Sequence, residues 1–200
     1  MRDLGVRLGG RVVFQGLSFE WGAPGSIAVT GPNGSGKTTL LKVLAGLLRP
    51  GRGTVEWRDG GRVLAPADAR SRLGFVSPEL ALYEDLSALE NLAFFARARG
   101  LAWSESEGRA WLARLGLGDR GSDRLGGFSS GMKQRVKLAF ALQARPTLVL
   151  LDEPGSNLDE AGRAVLRQLV VEAARDALVV VATNDPEEAA WTGSTLALAA

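Results

Sequence analysis

Apolar residues recur along this chain in compact runs, separated by stretches in which the apolar positions have helical spacing. The compact runs are predicted β-strands, at 26–30, 73–76, 148–151 and 177–182. The stretches with helical spacing are predicted helices, at 38–48, 86–100, 104–115, 131–142 and 159–174. Apolar strands that alternate with helices favour a largely parallel sheet with helices on both faces.

Two other stretches have the pattern of antiparallel hairpins. Residues 6–21 alternate around a pair of glycines, and a second hairpin is predicted to pair 54–57 with 62–64 across an Asp-Gly-Gly turn. From about 77 to 144 the chain is predicted to be mostly helical. Together the patterns predict an α/β fold with a mostly parallel central sheet, an antiparallel β subdomain and an inserted helical subdomain.

Composition limits the chemistry that this chain can perform. Its 200 residues are 46% hydrophobic and 23% charged, which is typical of a globular protein with one sizeable core. The formal charge is only +2 and the basic residues are scattered, so we expect no nucleic-acid partner. There is no Cys and no His, which excludes thiol chemistry and histidine catalysis, so acid–base chemistry has to use carboxylates.

The absence of cysteine also fits a cytoplasmic location. No stretch approaches the roughly 18–20 apolar residues of a membrane span. Any membrane role is therefore expected to come through a partner.

A glycine-rich segment after the first compact strand has the complete P-loop pattern, between a predicted strand and a predicted helix. The segment consists of Gly31, Pro32, Asn33, Gly34, Ser35, Gly36, Lys37 and Thr38. Its glycines let several backbone N–H groups point at one centre, and the following helix adds the positive end of its dipole. We expect Lys37 to reach the β and γ phosphates of ATP, Thr38 to ligate Mg²⁺ and Thr39 to complete the nucleotide site. A chance glycine-rich turn is the alternative, which the flanking strand and helix disfavour.

Two acids follow the predicted strand at 148–151. Asp152 and Glu153 stand at the carboxyl end of a buried strand, where open α/β sheets bind ligands. Two adjacent acids are costly to bury without a cation. We therefore expect Asp152 to hold Mg²⁺, through water, and Glu153 to polarise the attacking water. The alternative is a plain strand end that enters a Pro-Gly turn.

Two further motifs select one family among the P-loop proteins. The run Phe-Ser-Ser-Gly-Met-Lys-Gln-Arg at 128–135 resembles the signature sequence of ABC-type ATPases, and Ser-Asn-Leu-Asp at 156–159 resembles their D-loop. The P-loop, the signature, the acidic strand end and the D-loop stand in the family's order, and the resemblance covers essentially the whole chain.

The resemblance implies one ABC-ATPase domain, with a core at 1–76 and 145–200 and a helical subdomain at about 77–144. It implies that two ATPase subunits, in a homodimer or a heterodimer, pack head to tail around ATP. The signature residues of one copy then meet the nucleotide on the other, and the D-loop contributes Asp159. The signature residues are Ser129, Ser130 and Gly131. Polytopic membrane permease subunits are the other implied partners, which places the chain at the inner face of the cell membrane.

Within the family, the runs at 14–19, 53–57 and 86–92 are similar to those of the haem-exporter ATPases of cytochrome c maturation. The signature region also resembles that of drug- and polysaccharide-type ABC-2 exporters. Export is therefore the favoured role. A soluble ABC ATPase of an assembly factor and a nucleotide-binding partner with impaired hydrolysis stay open, whereas a small-molecule kinase leaves the signature unexplained.

Three positions depart from the family pattern. Leu8 stands where an aromatic residue usually stacks on adenine, and Asn184 stands at the position of the switch histidine. Pro78 occupies the position of the Q-loop glutamine, with Glu79 beside it as a substitute. Asn is never cationic, and the loss of a charge-assisted contact costs roughly 1.5–3 kcal/mol. These departures predict slow ATP hydrolysis with Glu153 retained as the base.

Overall fold

The computed structural model describes residues 1–199 and has an α/β fold. Its strands are β1 (Arg2–Leu8), β2 (Arg11–Leu17), β3 (Gly25–Thr30), β4 (Arg52–Thr54), β5 (Arg58–Asp59), β6 (Arg62–Val63), β7 (Leu73–Val76), β8 (Leu148–Asp152), β9 (Leu178–Ala182) and β10 (Ser194–Ala197). Its helices are α1 (Lys37–Leu44), α2 (Pro66–Ser71), α3 (Ala88–Ala98), α4 (Glu105–Arg114), α5 (Ser130–Leu142), α6 (Glu160–Ala173) and α7 (Pro186–Ala189).

Five strands form a central sheet in the order β10-β3-β9-β8-β7, and every neighbouring pair in it is parallel. This confirms the predicted parallel sheet. All residues of β8 and β9 are buried, which explains why their sequences are continuous aliphatic runs. The strand order brings the carboxyl ends of β3, β8 and β9 to the same edge of the sheet.

The antiparallel sheet differs from the prediction in one pairing. β1 pairs with β2 on one side and with β4 on the other. The hairpin predicted between 54–57 and 62–64 is confirmed at its turn, where β5 pairs with β6 and the Leu64 amide donates to the Trp57 carbonyl oxygen at 2.8 Å. It is wrong at Thr54, which ends β4 and pairs with Arg2. The reason is Gly53, at a φ of 79°, where a Cβ would lie 2.3 Å from the carbonyl oxygen of Arg2. This close backbone approach leaves no trace in the apolar pattern.

The helices α3 to α6 agree with the predicted segments to within two residues at each end. The first helix is shorter than predicted and ends at Leu44. The short helices α2 and α7 were not predicted, and no residue of α2 is buried, so its apolar pattern carries no signal. Among residues 1–199, no helix combines the length and the apolar character that crossing a bilayer requires.

Two hydrophobic clusters cover the two faces of the central sheet. One contains Leu150 of β8 and Val180 of β9 and packs against α1 and β1. The other contains Leu151 and Val181 and packs against helices α3 to α6. Alternate residues of the buried strands therefore point to opposite clusters. The helices between β7 and β8 share this second cluster with the sheet.

Residues 77–86, which follow β7, form neither helix nor strand and are held by a buried amide. The Asn91 side chain is fully buried, accepts a hydrogen bond from the amide of Tyr83 at 2.9 Å and donates to the carbonyl oxygens of Tyr83 and Ser87, both at 2.9 Å. Because this stretch has few backbone partners of its own, Asn91 fixes its path across the surface.

We predict that Asn91→Ala lowers the free energy of unfolding by about 2–3 kcal/mol, because backbone groups lose their partner and a small cavity remains. Urea denaturation measures this change. The control is Gln168→Ala, which removes an exposed amide bonded to Glu172 and should change stability by less than about 0.5 kcal/mol. Equal effects of the two substitutions would contradict the role of Asn91.

Candidate nucleotide-binding and catalytic site

The loop between β3 and α1 depends on glycine for its backbone angles and its close packing. Gly31, Gly34 and Gly36 have φ values of 146°, 86° and 96°, which favour glycine. A Cβ on Gly31 would lie 2.6 Å from the carbonyl oxygen of Leu198, and one on Gly36 would lie 2.6 Å from Cγ1 of Val13. Any side chain at these two positions would displace the loop.

The Lys37 ammonium lies inside this loop. The residue is 6% exposed, and its Nζ donates to the carbonyl oxygens of Gly31 at 2.8 Å and Pro32 at 3.3 Å. Nζ also lies 3.6 Å from Oε1 of Glu153. An anion that enters the loop therefore meets a buried cation whose present partners are neutral carbonyl groups and one carboxylate.

Asp152, the last residue of β8, has a buried carboxylate whose oxygens accept no hydrogen bond. Burial raises the pKa of this carboxyl group. The nearby Thr38 hydroxyl, which does not reach hydrogen-bonding geometry, offsets part of the rise, and so does the charge of Lys37. A buried carboxylate with free lone pairs needs a proton or a cation for stability.

The oxygen atoms around Asp152 fit Mg²⁺, a hard cation that prefers oxygen ligands and retains several waters. The Thr38 hydroxyl lies beside the carboxylate, and the buried Ser35 hydroxyl likewise has no hydrogen-bond partner. In the described part of the chain, no group of three or more acidic side chains could hold a metal. A metal at this place therefore needs further oxygens from phosphate or water.

Glu153 stands in a strained turn directly after β8. Its φ of 47° lies in the left-handed region, which residues with side chains rarely adopt. Its amide donates to the carbonyl oxygen of Ala182 at 2.8 Å, and its side chain is 26% exposed. The turn directs the carboxylate away from the sheet and toward Lys37. Strain of this kind is concentrated at functional sites.

Asn184, at the predicted switch position, contacts the P-loop directly. Its Nδ2 donates to Oδ1 of Asn33 at 3.2 Å, although 151 positions separate the two residues in the sequence. The preceding residue, Thr183, is buried, and its amide donates to the carbonyl oxygen of Val29 at 3.0 Å. The parallel pairing of β3 and β9 thus places the switch position beside the phosphate loop.

The signature residues begin α5 and face the loop that follows Glu153. Ser129 accepts a hydrogen bond from the Met132 amide at 3.2 Å and so caps the helix. A Cβ on Gly131 would lie 2.5 Å from the carbonyl oxygen of Asn157. Ser130 lines a cavity of about 320 Å³ whose wall includes Asp152 and Glu153.

The D-loop ends in a helix cap. Asp159 accepts a hydrogen bond from the Gly162 amide at 2.8 Å and so caps α6. No hydrogen bond within residues 1–199 joins Asp159 or a signature residue to the P-loop of the same chain.

Leu8 and Pro78 lie at the margins of the site. Leu8 ends β1 and is 46% exposed, whereas the hairpin side chains that pack beside Gly36 belong to Val13 and Phe14. An adenine contact by Leu8 stays a prediction. Sequence reasoning missed Val13 and Phe14, although the alternation along β2 placed both on the hairpin.

Two lysines hold the segment at the Q-loop position. Lys137 of α5 donates to the Pro78 carbonyl oxygen at 3.2 Å, and burial lowers the pKa of this lysine. Lys42 of α1 pairs with the Glu79 carboxylate at 2.8 Å. No sequence pattern indicated either lysine, because both contacts depend on how α1 and α5 pack around the segment.

The glycine-rich loop, the buried lysine and the two acids form a site that fits phosphate groups and a cation, and comparison with known proteins identifies a family. Residues 14–156 match the family model described as ABC transporter. The chain is 39% identical over 185 residues to the cytochrome c biogenesis ATP-binding export protein CcmA of Cupriavidus pinatubonensis, covering 91% of this chain and 81% of that protein.

Solved structures show the same relationship. The structure of an ATP-binding subunit of an ABC transporter has a TM-score of 0.86 at 30% identity, over 98% of this chain and 84% of that one. A dimeric ATP-binding cassette bound to ADP and Pi in a post-hydrolysis state has a TM-score of 0.86 at 24% identity, over 98% and 92% of the two chains, which shows a shared fold.

The chain therefore belongs to the ABC transporter family, as an ATP-binding subunit, and members of this family bind and hydrolyse ATP. This confirms the fold class and the family resemblance that the motifs predicted, including the similarity to exporter ATPases of cytochrome c maturation.

We predict that Asp152→Asn stabilises the nucleotide-free protein at neutral pH by about 1–3 kcal/mol, because it removes a buried, unpartnered charge. Burial raises the folded-state pKa above the ordinary value of 3.8. The penalty is therefore absent below that value, grows as the pH rises toward the folded-state pKa and is complete above it. The advantage of the substitution should accordingly shrink toward pH 4.

Urea denaturation between pH 4 and 8, without nucleotide or Mg²⁺, measures this difference. Asp119→Asn, at an exposed position, is the control and should change stability by less than about 0.5 kcal/mol. If Asp152→Asn instead made the protein less stable than the wild type at neutral pH, the carboxylate would already be compensated.

Proposed function

We propose that this chain is the ATP-hydrolysing subunit of an ABC exporter and that ATP drives its head-to-tail dimerisation. The observation that carries the proposal is the convergence of buried Lys37, buried Asp152 and strained Glu153 at one edge of the sheet. Placing three charged groups together at the carboxyl ends of strands does not stabilise the folded protein unless a charged ligand binds there. A nucleotide triphosphate with its metal matches this arrangement.

Within one copy, the P-loop residues 31–38 and Thr39 bind the phosphates through backbone N–H groups and the Lys37 ammonium. Thr38 and, through water, Asp152 would hold Mg²⁺, which would supply positive charge to neutralise the phosphates. Glu153 accepts the proton of the attacking water. Asn184 donates a hydrogen bond to the γ-phosphate, in place of its present acceptor on Asn33.

A second ATPase subunit, identical or related, completes the site. The amino-terminal end of α5 is a second anion-binding surface, because its first amides point out of the helix. Ser129, Ser130 and Gly131 contact the γ-phosphate held by the partner, and Asp159 orders the D-loop between the two copies. Similarity in fold to a dimeric cassette bound to ADP and Pi supports this assembly.

The remaining partners are polytopic permease subunits at the cytoplasmic face of the membrane. The relative of Cupriavidus pinatubonensis is named as an export protein, which supports transport out of the cell. The chain is one domain, with a core at 1–76 and 145–200 and a helical subdomain at about 77–144. An exposed aromatic surface of Tyr83 and Phe94 on this subdomain, 51% and 43% exposed, supports docking of the permease there.

We predict that Glu153→Gln lowers ATP turnover by at least about 100-fold, because the amide cannot accept the proton. The variant should form a stable ATP-bound dimer, detectable by size-exclusion chromatography with Mg²⁺ and ATP. Glu105→Gln, at an exposed position in α4, is the control and should hydrolyse ATP at the wild-type rate. Unchanged turnover in Glu153→Gln would show that Glu153 is not the base.

Hydrolysis by the wild type is slow in this proposal, because Asn184 is neutral. We predict that Asn184→His raises kcat roughly tenfold, by adding a charge-assisted contact to the γ-phosphate in the transition state. Asn184→Ala, which removes the donor altogether, should fall below the wild type. Steady-state ATPase assays of the three proteins measure these changes. A His variant no faster than the wild type would reject the attribution of slow hydrolysis to Asn184.

A further inference from the structure

A buried carboxylate that takes no part in the proposed chemistry lies beneath the loop after Glu153. Glu188 belongs to α7 and is 2% exposed. Its Oε1 lies directly against Gly155, where a Cβ would be only 1.9 Å away. Its Oε2 accepts no hydrogen bond.

The neighbours of Glu188 belong to the two loops that carry Glu153 and Asn184. Gly155 follows Glu153 by two positions, and Thr183, whose hydroxyl lies near the Glu188 carboxylate, directly precedes Asn184. The Glu188 side chain therefore spans the space between these loops.

The only cation within ion-pairing distance of Glu188, among the described residues, is Arg163 of α6. Its Nη1 lies 3.9 Å from the Glu188 carboxylate but 2.6 Å from that of Asp185. The guanidinium therefore neutralises Glu188 only in part.

Packing alone does not account for an acid at this position. A buried carboxylate with an unpartnered oxygen and a counter-charge shared with a closer acid destabilises the fold, and burial accordingly raises the pKa of Glu188. An apolar side chain of similar size would fill the space without this penalty. The contacts of the carboxylate with both loops offer a reason for its presence.

We propose that Glu188 is a positioning residue, which fixes the loop at 154–157 against the turn at 183–185 so that Glu153 and Asn184 approach the γ-phosphate together. The inference rests on the proposed ATPase function and assigns Glu188 no contact with substrate. The same loop is also held by Gln134 of α5, whose Nε2 donates to the Pro154 carbonyl oxygen at 3.0 Å. Glu188 contacts the loop at Gly155, the residue after the carbonyl group that Gln134 binds.

The first test compares Glu188→Ala with Glu187→Ala, a control on the same helix whose side chain is 68% exposed. We expect Glu188→Ala to lower kcat roughly tenfold or more, because the base is displaced, while KM for ATP changes less than about twofold. The control should keep both constants. Wild-type kcat in Glu188→Ala, measured well below its melting temperature, would overturn the proposal even if the variant melts earlier.

The second test uses the close contact itself. Gly155→Ala places a methyl group where Oε1 of Glu188 lies, so it should lower kcat on its own. In the Glu188→Ala background the same change meets open space and should have little further effect. The two substitutions are therefore expected to be strongly non-additive in kcat. Additive effects would show that the contact does not position the loop.

A third measurement separates this inference from the proposed function. The Glu153 amide donates to Ala182, and the Ser156 amide donates to the Glu153 carbonyl oxygen at 3.2 Å. Glu188→Ala should speed hydrogen exchange of these amides by about tenfold or more, with or without ATP turnover. A wild-type chain that hydrolyses no ATP would reject the proposed function, whereas unchanged exchange would reject the role of Glu188.

Discussion

Lys37, which begins α1 after the loop that follows β3, and Asp152, which ends β8, carry opposite charges, and both are buried. Their placement depends on the parallel pairing of β3 with β9 and of β9 with β8, which sets the carboxyl ends of these strands side by side. The hydrophobic clusters on both faces of the sheet supply the free energy that offsets the burial of these charges. Hydrophobic burial therefore stabilises a folded state that the burial of these two charges destabilises.

The helix α5 links this site to the rest of the chain. Its amino-terminal end carries the signature residues, its apolar face belongs to the cluster under β7 and β8, and Gln134 reaches the loop after Glu153. A displacement of the signature end would therefore act on the catalytic loop through a short, buried connection. In the proposed dimer, a contact of this helix end with the partner's nucleotide would therefore also act on Glu153 of its own chain.

The sequence predicted those parts of the molecule whose physics is local. Continuous aliphatic runs revealed β8 and β9, and the P-loop pattern predicted the glycine-rich loop between β3 and α1, with Lys37 at the start of the helix. The pairing of β4 with β1 was missed because it depends on a close backbone approach at Gly53. The strand β10 was missed because only Leu196 among its residues is buried. Glu188 gave no signal either, since an acid in an acidic stretch is typical of a solvated surface, and only the fold shows its burial.

The hydrogen bond between Asn184 and Asn33 joins two amides, neither of which titrates in water. With no histidine in the sequence, no side chain of ordinary pKa changes its charge between pH 6 and 8. Neither partner in this link between the end of β9 and the phosphate loop therefore gains or loses charge in that range. An imidazole at the same position would change its charge within that range, whereas this amide does not.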